Sequence, residues 1–387
     1  MHPTSSRSLR GPDGTTTGYR RRRTSRTLLT ALACLAALAC LTALGCLAGL
    51  VIAQLPRFPS WPTAWPAGTP TPAAGSDPGS QPRLGAVSWP ADGVSAADIS
   101  GYGVTDGPGA TRQVPIASVA KLMTAYVILQ DHPLSASGSG PDITVEPSEA
   151  AQYPSQVADG DSLVAVAAGE TITERQALEA LLLPSADNMA WILARWDAGN
   201  QAAFAARMNA AARSLAMTGT SYTDPSGLDP STTSTAADQV RLGMAAMQVP
   251  ALAAITAEPT AVVPVAGVVR NTNALLGRDG IVGLKTGSTQ AAGGCLLVAA
   301  WRQVSGHNIL IVAATFGQPG PAGTVLANAL QAGHNLVLAL DTALDHGAQV
   351  GSRDNSEGPP QGPGRTRDDQ KARPCPASPA GRHRHAR

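Results

Sequence analysis

Ser118 and Lys121 stand three residues apart at the head of a run whose apolar members, Leu122, Met123, Tyr126 and Val127, recur at helical spacing. On a helix, positions three apart share a face, so hydroxyl and amine can approach each other. A serine hydroxyl is a weak nucleophile and needs a base beside it. A lysine amine serves when burial and neighbouring cations lower its pKa. A helix start also offers backbone N–H groups to a developing oxyanion. Taken alone the spacing is common, and an N-cap serine followed by an unrelated exposed lysine accounts for it equally well.

Two further motifs bear on that choice. Lys285-Thr286-Gly287-Ser288 closes the apolar run Ile281-Val282-Gly283-Leu284, where a glycine lets backbone approach a ligand and the lysine and hydroxyls suit a carboxylate. Ser185-Ala186-Asp187-Asn188 follows Leu181-Leu182-Leu183-Pro184 at a junction between two helical patterns. Each is weak by itself. The lysine inventory adds weight: the whole chain has only Lys121, Lys285 and Lys371, and meets every other need for a fixed cation with Arg. Arginine stays protonated, whereas lysine can be tuned to act as a base.

The ordered set S-x-x-K, S-x-x and K-T-G resembles that of the low-molecular-mass penicillin-binding proteins, which are serine-type D-Ala-D-Ala carboxypeptidases. The flanks carry the likeness further: Lys121-Leu122-Met123-Thr124-Ala125, Asp224-Pro225-Ser226-Gly227-Leu228, Asn271-Thr272-Asn273-Ala274-Leu275-Leu276, and the run from Gly283 to Leu297. The resemblance spans roughly Leu84 to Thr315. It implies that Ser118 attacks the penultimate D-Ala carbonyl, that Lys121 takes its proton, and that Ser185 relays a proton to the leaving D-Ala. It further implies that Lys285, Thr286, Gly287 and Ser288 hold the substrate carboxylate. The oxyanion would face the backbone N–H groups of Ser118 and Ser288. Water would release the acyl-enzyme, no metal or organic cofactor would enter, and β-lactams would acylate Ser118.

One position departs from the family pattern. The third residue of S-x-N is Asp187 here, and Asn188 follows it. An aspartate lacks the amide donor and adds a charge, which the two lysines could neutralise or which could raise the pKa of Lys121. Local rearrangement could instead bring Asn188 into the role, so both residues stand as substrate-binding candidates. A β-lactamase or D,D-transpeptidase on the same fold, or a non-catalytic wall-binding protein, remain alternatives. No acidic loop matching a β-lactamase deacylation base is evident.

The elements expected to position these groups form an α+β domain. Leu84–Trp89, Asp98–Val104, Ile281–Lys285, Cys295–Arg302 and Asn308–Thr315 read as strands. Ser118–Leu129, Glu174–Leu183, Met189–Trp196, Gln201–Leu215 and Thr324–Leu344 read as helices. The resemblance makes this a β-lactamase/transpeptidase-like fold, an antiparallel sheet flanked by helices, and the charge-free run 27–53 adds the expectation of an N-terminal transmembrane helix.

Composition sets the remaining bounds. The chain has 387 residues, 43% hydrophobic but only 4% aromatic, so the core must be built from small aliphatics. A net charge of +1 gives no case for nucleic acid. No C-x-x-C and no H-E-x-x-H occurs, which argues against zinc. Residues 1–26 are Arg-rich and read as a disordered cytoplasmic segment. Residues 27–53 carry no charge and are long enough to span a bilayer as a signal anchor, or to serve as a signal peptide. A Pro/Gly/Ser linker over 54–83, a D,D-peptidase domain over 84–345 and a disordered tail over 346–387 complete the expected layout. The catalytic domain would then lie outside the cytoplasm, held at the cell membrane or secreted after cleavage. Its partner would be a peptidoglycan stem peptide.

Overall fold

A computed structural model describes residues 84–354, so the readings made for 1–83 and 355–387 lie outside the described residues. Among the described residues no helix is long and apolar enough to cross a membrane.

The chain opens with the hairpin β1 (Val94–Ile99) and β2 (Gly103–Asp106), then β3 (Val114–Pro115) and a 3-10 turn (Ala117–Ala120) that runs directly into α1 (Lys121–Asp131). A helical region follows: β4 (Asp142–Thr144), α2 (Pro147–Asp159), β5 (Thr171–Thr173), α3 (Glu174–Leu182), α4 (Asp187–Ala198) and α5 (Gln201–Ser214). Next come β6 (Thr233–Ser234), α6 (Ala236–Ala246), α7 (Pro250–Thr256) and the hairpin β7 (Thr260–Val263) and β8 (Gly267–Arg270). The chain returns through β9 (Ile281–Thr289), β10 (Gly293–Val304) and β11 (His307–Gln318) and closes with α8 (Val325–Asp354).

Five strands form one sheet in the order β2-β1-β11-β10-β9, antiparallel at every pairing. Successive side chains on a strand point to opposite faces. Val94, Ala96, Leu297, Ala299, Val312 and Ala314 therefore pack into the core shared with the helical region. Ala97, Ile99, Leu296, Val298, Ala300 and Ala313 pack against Leu336, Val337, Leu340 and Leu344 of α8. Burial on both faces is why β10 and β11 read as nearly unbroken apolar runs.

Several expected elements shift. Leu84–Trp89 forms no strand, because its backbone turns to α8, with the Gly85 N–H donating to the Ala343 carbonyl at 3.0 Å. Asp98–Val104 straddles a hairpin turn instead of lying in one strand. The expected helix at Ser118 is a 3-10 turn first and an α-helix only from Lys121. The closing helix runs past Leu344 to Asp354. α2 went unread because none of its residues is buried and it contains Pro154, so it shows no apolar stripe.

Candidate active site

The 3-10 turn changes the geometry of the first motif in its favour. Side chains three apart eclipse one another in a 3-10 turn. Lys121 Nζ accordingly lies 2.7 Å from Ser118 Oγ. The residue before Ser118, Ala117, has φ +48°, a left-handed conformation that costs a non-glycine residue about 1–3 kcal/mol. Ser185, the first residue of the second motif, has φ +69° and is buried. Both strained residues adjoin the chemistry, which is where such strain is usually stored.

Lys121 is fully buried, yet each of its polar needs is met. Besides Ser118 Oγ, its Nζ contacts Asp187 Oδ1 at 2.7 Å and the Ser226 carbonyl at 3.0 Å. Burial pulls the amine below the ordinary lysine range, while the carboxylate of Asp187, and more distantly those of Asp224 and Asp161, pull it back up. Lys285 is also buried and donates to the Thr286 carbonyl at 3.0 Å. Burial first, and then the charge of Lys121, hold it well below the usual range, with Asp187 opposing. Lys285 lies opposite Leu297 in the sheet, so it faces the helix-rich side and not α8.

The edge strand β9 reaches the nucleophile turn through Gly287. A Cβ built there would stand 2.9 Å from the Ser118 nitrogen and 3.0 Å from the Val119 nitrogen. Only glycine lets the strand approach that closely, which gives the glycine of the third motif a physical cause. Thr286 shares a 2.6 Å hydrogen bond with Thr272, whose hydroxyl also donates to the Leu183 carbonyl at 3.3 Å. This ties the β9 motif to the chain just before Ser185. Ser288 is exposed at the end of the motif.

The structure places the two candidates at 187 and 188 differently. Asp187 begins α4 with its carboxylate on Lys121, and its second oxygen accepts from the Ser162 N–H at 3.0 Å. Asn188 turns away, accepting from the Val164 N–H at 3.3 Å and donating to the Val164 carbonyl at 2.8 Å. Its amide uses both donor and acceptor there, a task an aspartate could not perform. Asn188 therefore holds a loop and is not brought to Lys121.

One participant was given no role from the sequence, where Asp224–Leu228 stands only among the flanks that carry the family likeness. That turn supplies the Ser226 carbonyl to Lys121. Asp224 builds it: Oδ2 accepts from the N–H groups of Ser226, Gly227 and Leu228 and from the Ser226 hydroxyl, and Oδ1 accepts from Thr232. Gly227, at φ +77°, packs so closely that a Cβ would stand 2.0 Å from the Ala117 carbonyl. Thr124 on α1 donates to the Pro225 carbonyl at 2.6 Å. The available signal was the Asp-Pro-Ser-Gly run itself, a turn former adjoining nothing obvious in sequence. Two cavities, of about 540 Å³ beside Trp89 and about 390 Å³ beside Leu228, are not lined by Ser118. Cys295 is buried, and burial pushes its thiol up to about 12, so it is a small core residue.

Comparison with known proteins identifies the family. The model of the D-alanyl-D-alanine carboxypeptidase family, peptidase S11, matches residues 105–318, just over half of the chain. D-alanyl-D-alanine carboxypeptidase DacB2 of Mycobacterium tuberculosis is 35% identical over 238 residues, covering 59% of this chain and 75% of that protein. A D-alanyl-D-alanine endopeptidase of Pseudomonas aeruginosa is 35% identical over 212 residues, covering 53% of this chain and 65% of that one. A Streptomyces DD-transpeptidase structure superposes with a TM-score of 0.57 at 23% identity, covering 66% of this chain and 100% of its own, a likeness of fold. Penicillin-binding protein D2 of Listeria monocytogenes, solved in an ampicillin-bound form, superposes at 0.51 with 26% identity, covering 64% and 96%. On the family match and these relatives, the chain belongs to the peptidase S11 family of D-alanyl-D-alanine carboxypeptidases and is a serine-type hydrolase.

Proposed function

We propose that the protein removes the terminal D-Ala from peptidoglycan stem peptides through an acyl-enzyme on Ser118. The observation that carries this reading is the 2.7 Å approach of Lys121 Nζ to Ser118 Oγ, made by an amine that is buried and held below its ordinary pKa range. A neutral amine has one lone pair and two N–H donors. With Asp187 and Ser226 accepting the two donors, the lone pair is left to the Ser118 hydroxyl.

In the forward step Ser118 Oγ bonds to the carbonyl carbon, its proton passes to Lys121, and the C–N bond to D-Ala breaks. The leaving amine takes up a proton by way of Ser185. Lys285 and Thr286 hold the substrate carboxylate, with Gly287 and Ser288 completing that edge. The N–H groups of Ser118 and Ser288 face the oxyanion, and preorganised donors of this kind are typically worth about 3 kcal/mol each. Water then attacks the ester and regenerates Ser118. The domain would work outside the cytoplasm, held by the charge-free segment 27–53, with β-lactams as acylating inhibitors.

The test is intact-mass analysis after penicillin treatment. One covalent adduct is expected in the native sequence and none in Ser118→Ala. Adduct formation without D-Ala release from a stem peptide would sink the carboxypeptidase reading, and rapid loss of the adduct would favour a β-lactamase.

A further inference from the structure

The carboxylate of Asp187 sits where a neutral amide would orient Lys121 equally well. An asparagine oxygen at Oδ1 could accept the same hydrogen bond at 2.7 Å, but its amide nitrogen would then face the Ser162 N–H, donor against donor. Only a carboxylate serves both partners, so the charge is built in. Asp187 Oδ2 accepts from the Ser162 N–H at 3.0 Å, and the Asp187 N–H donates to the Ser162 carbonyl, so the side chain is held from both ends. The neighbouring Asn188 is committed to Val164 and cannot replace it without unmaking two hydrogen bonds. Asp187 is 3% exposed, and in so dry a place its attraction for an ammonium is weakly screened.

Lys121 is satisfied in either protonation state. As an ammonium it has three donors and three acceptors in reach, Ser118 Oγ, Asp187 Oδ1 and the Ser226 carbonyl. As a neutral amine it donates to the last two and accepts from Ser118. Burial favours the neutral amine and the surrounding carboxylates favour the ammonium, so their balance decides between the states. The groups that face it are Asp187 from α4, Asp224 and Asp161 from the loops, and Lys285 from β9. Asp187 is the one in contact.

We propose that Asp187 is a positioning residue that sets the pH at which Ser118 becomes reactive, by clamping Lys121 as an ammonium at neutral pH. This rests on the reading of Ser118 and Lys121 given above. Acylation of the native enzyme then rises through the alkaline range as the clamp is released. Restoring a neutral acceptor at 187 frees the amine at lower pH.

The experiment follows the rate of adduct formation with a fluorescent penicillin from pH 5 to pH 10, in the native sequence, Asp187→Asn and Asp187→Ala. An opposite charge in contact shifts a pKa by about 1–3 units. Asp187→Asn should therefore move the midpoint down by that amount and acylate about tenfold or more faster at pH 6. Asp187→Ala should share the lower midpoint but reach a lower plateau, because the amine loses an orienting acceptor. A native profile already flat at pH 6 overturns the proposal without any variant. So does an Asp187→Asn protein that forms adduct with the native midpoint. Absence of adduct in the native sequence at every pH overturns the reading of Ser118 as nucleophile, and this proposal with it.

Discussion

Asp187 and Glu174 are both buried acids at the first turn of a helix, 13 residues apart, and they live under opposite rules. Asp187 has a cation at 2.7 Å and a backbone N–H at 3.0 Å. Glu174, which opens α3, has no hydrogen-bond partner for either carboxylate oxygen among the described residues. Its oxygens lie against the turn at Gly140, where even a Cβ would stand 2.5 Å from Oε2. Desolvation pushes its pKa up to about 7. A helix N-terminus favours an anion, but that contribution is about 0.3–1 kcal/mol and loses to burial. The contrast shows what a buried charge needs: specific partners, and not a helix end alone.

The comparison breaks hardest at Lys121. Lys121→Met leaves Asp187 as an uncompensated buried carboxylate, so acylation should vanish and stability should fall by about 3–5 kcal/mol in urea melts. Adding Asp187→Asn should return most of that stability and none of the activity. If Lys121→Met alone proves as stable as the native chain, the pair is not holding the fold.

Asp224→Ala attacks the same amine from its other side. It removes the acceptor of five hydrogen bonds that shape the Ser226 turn. A loss of about 2–4 kcal/mol is expected, together with slower acylation and a midpoint moved down by less than Asp187→Asn moves it, because a more distant carboxylate is lost. A loss of stability with a native acylation rate would show that the Ser226 carbonyl is dispensable.

Glu174→Gln sharpens the other arm. A carboxyl whose folded pKa is about 7 against 4.5 unfolded binds more protons when folded. Stability therefore falls as pH rises from about 4.5 to 7 and levels off above, by up to about 3 kcal/mol in all. The glutamine variant should melt about as the native chain does at pH 4.5 and higher than it at pH 8. Equal melting temperatures at both pH values would mean that Glu174 finds partners in solution.

The smallest effect belongs to Cys295, another buried ionisable group, whose Sγ donates to the Ala292 carbonyl at 3.7 Å. At pH 8.5 a maleimide should leave Cys295 unlabelled in the folded protein and label it after unfolding, as read by peptide mapping. Cys295→Ala should cost about 1 kcal/mol.

Legibility in the sequence followed the range of the interaction. The Ser118–Lys121 pair was readable because spacing along one turn dictates proximity, and the strands β9, β10 and β11 were readable as apolar runs. The scarcity of lysine marked 121 and 285, and the structure buries both. The short hairpin β7–β8 and the exposed helix α2 carried too little apolar periodicity to be found. The readings made for residues 27–53 and for the tail beyond Asp354 fall outside the described residues, and residues 346–354, read as disordered, continue the closing helix.

The sequence by itself determined the chemical types and their order: a serine and a lysine one turn apart, a second serine, a lysine-threonine-glycine edge, and an aspartate where an asparagine is usual. Only the tertiary structure decided which of them touch. Asp187 meets Lys121 across 66 residues and Ser226 meets it across 105. It also chose between Asp187 and Asn188, which no spacing could do, because the Val164 backbone needs both a donor and an acceptor. The reason is physical. Backbone periodicity orders neighbours within a turn or a pleat, whereas convergence of distant groups depends on how the sheet, α1 and two loops pack around one buried amine.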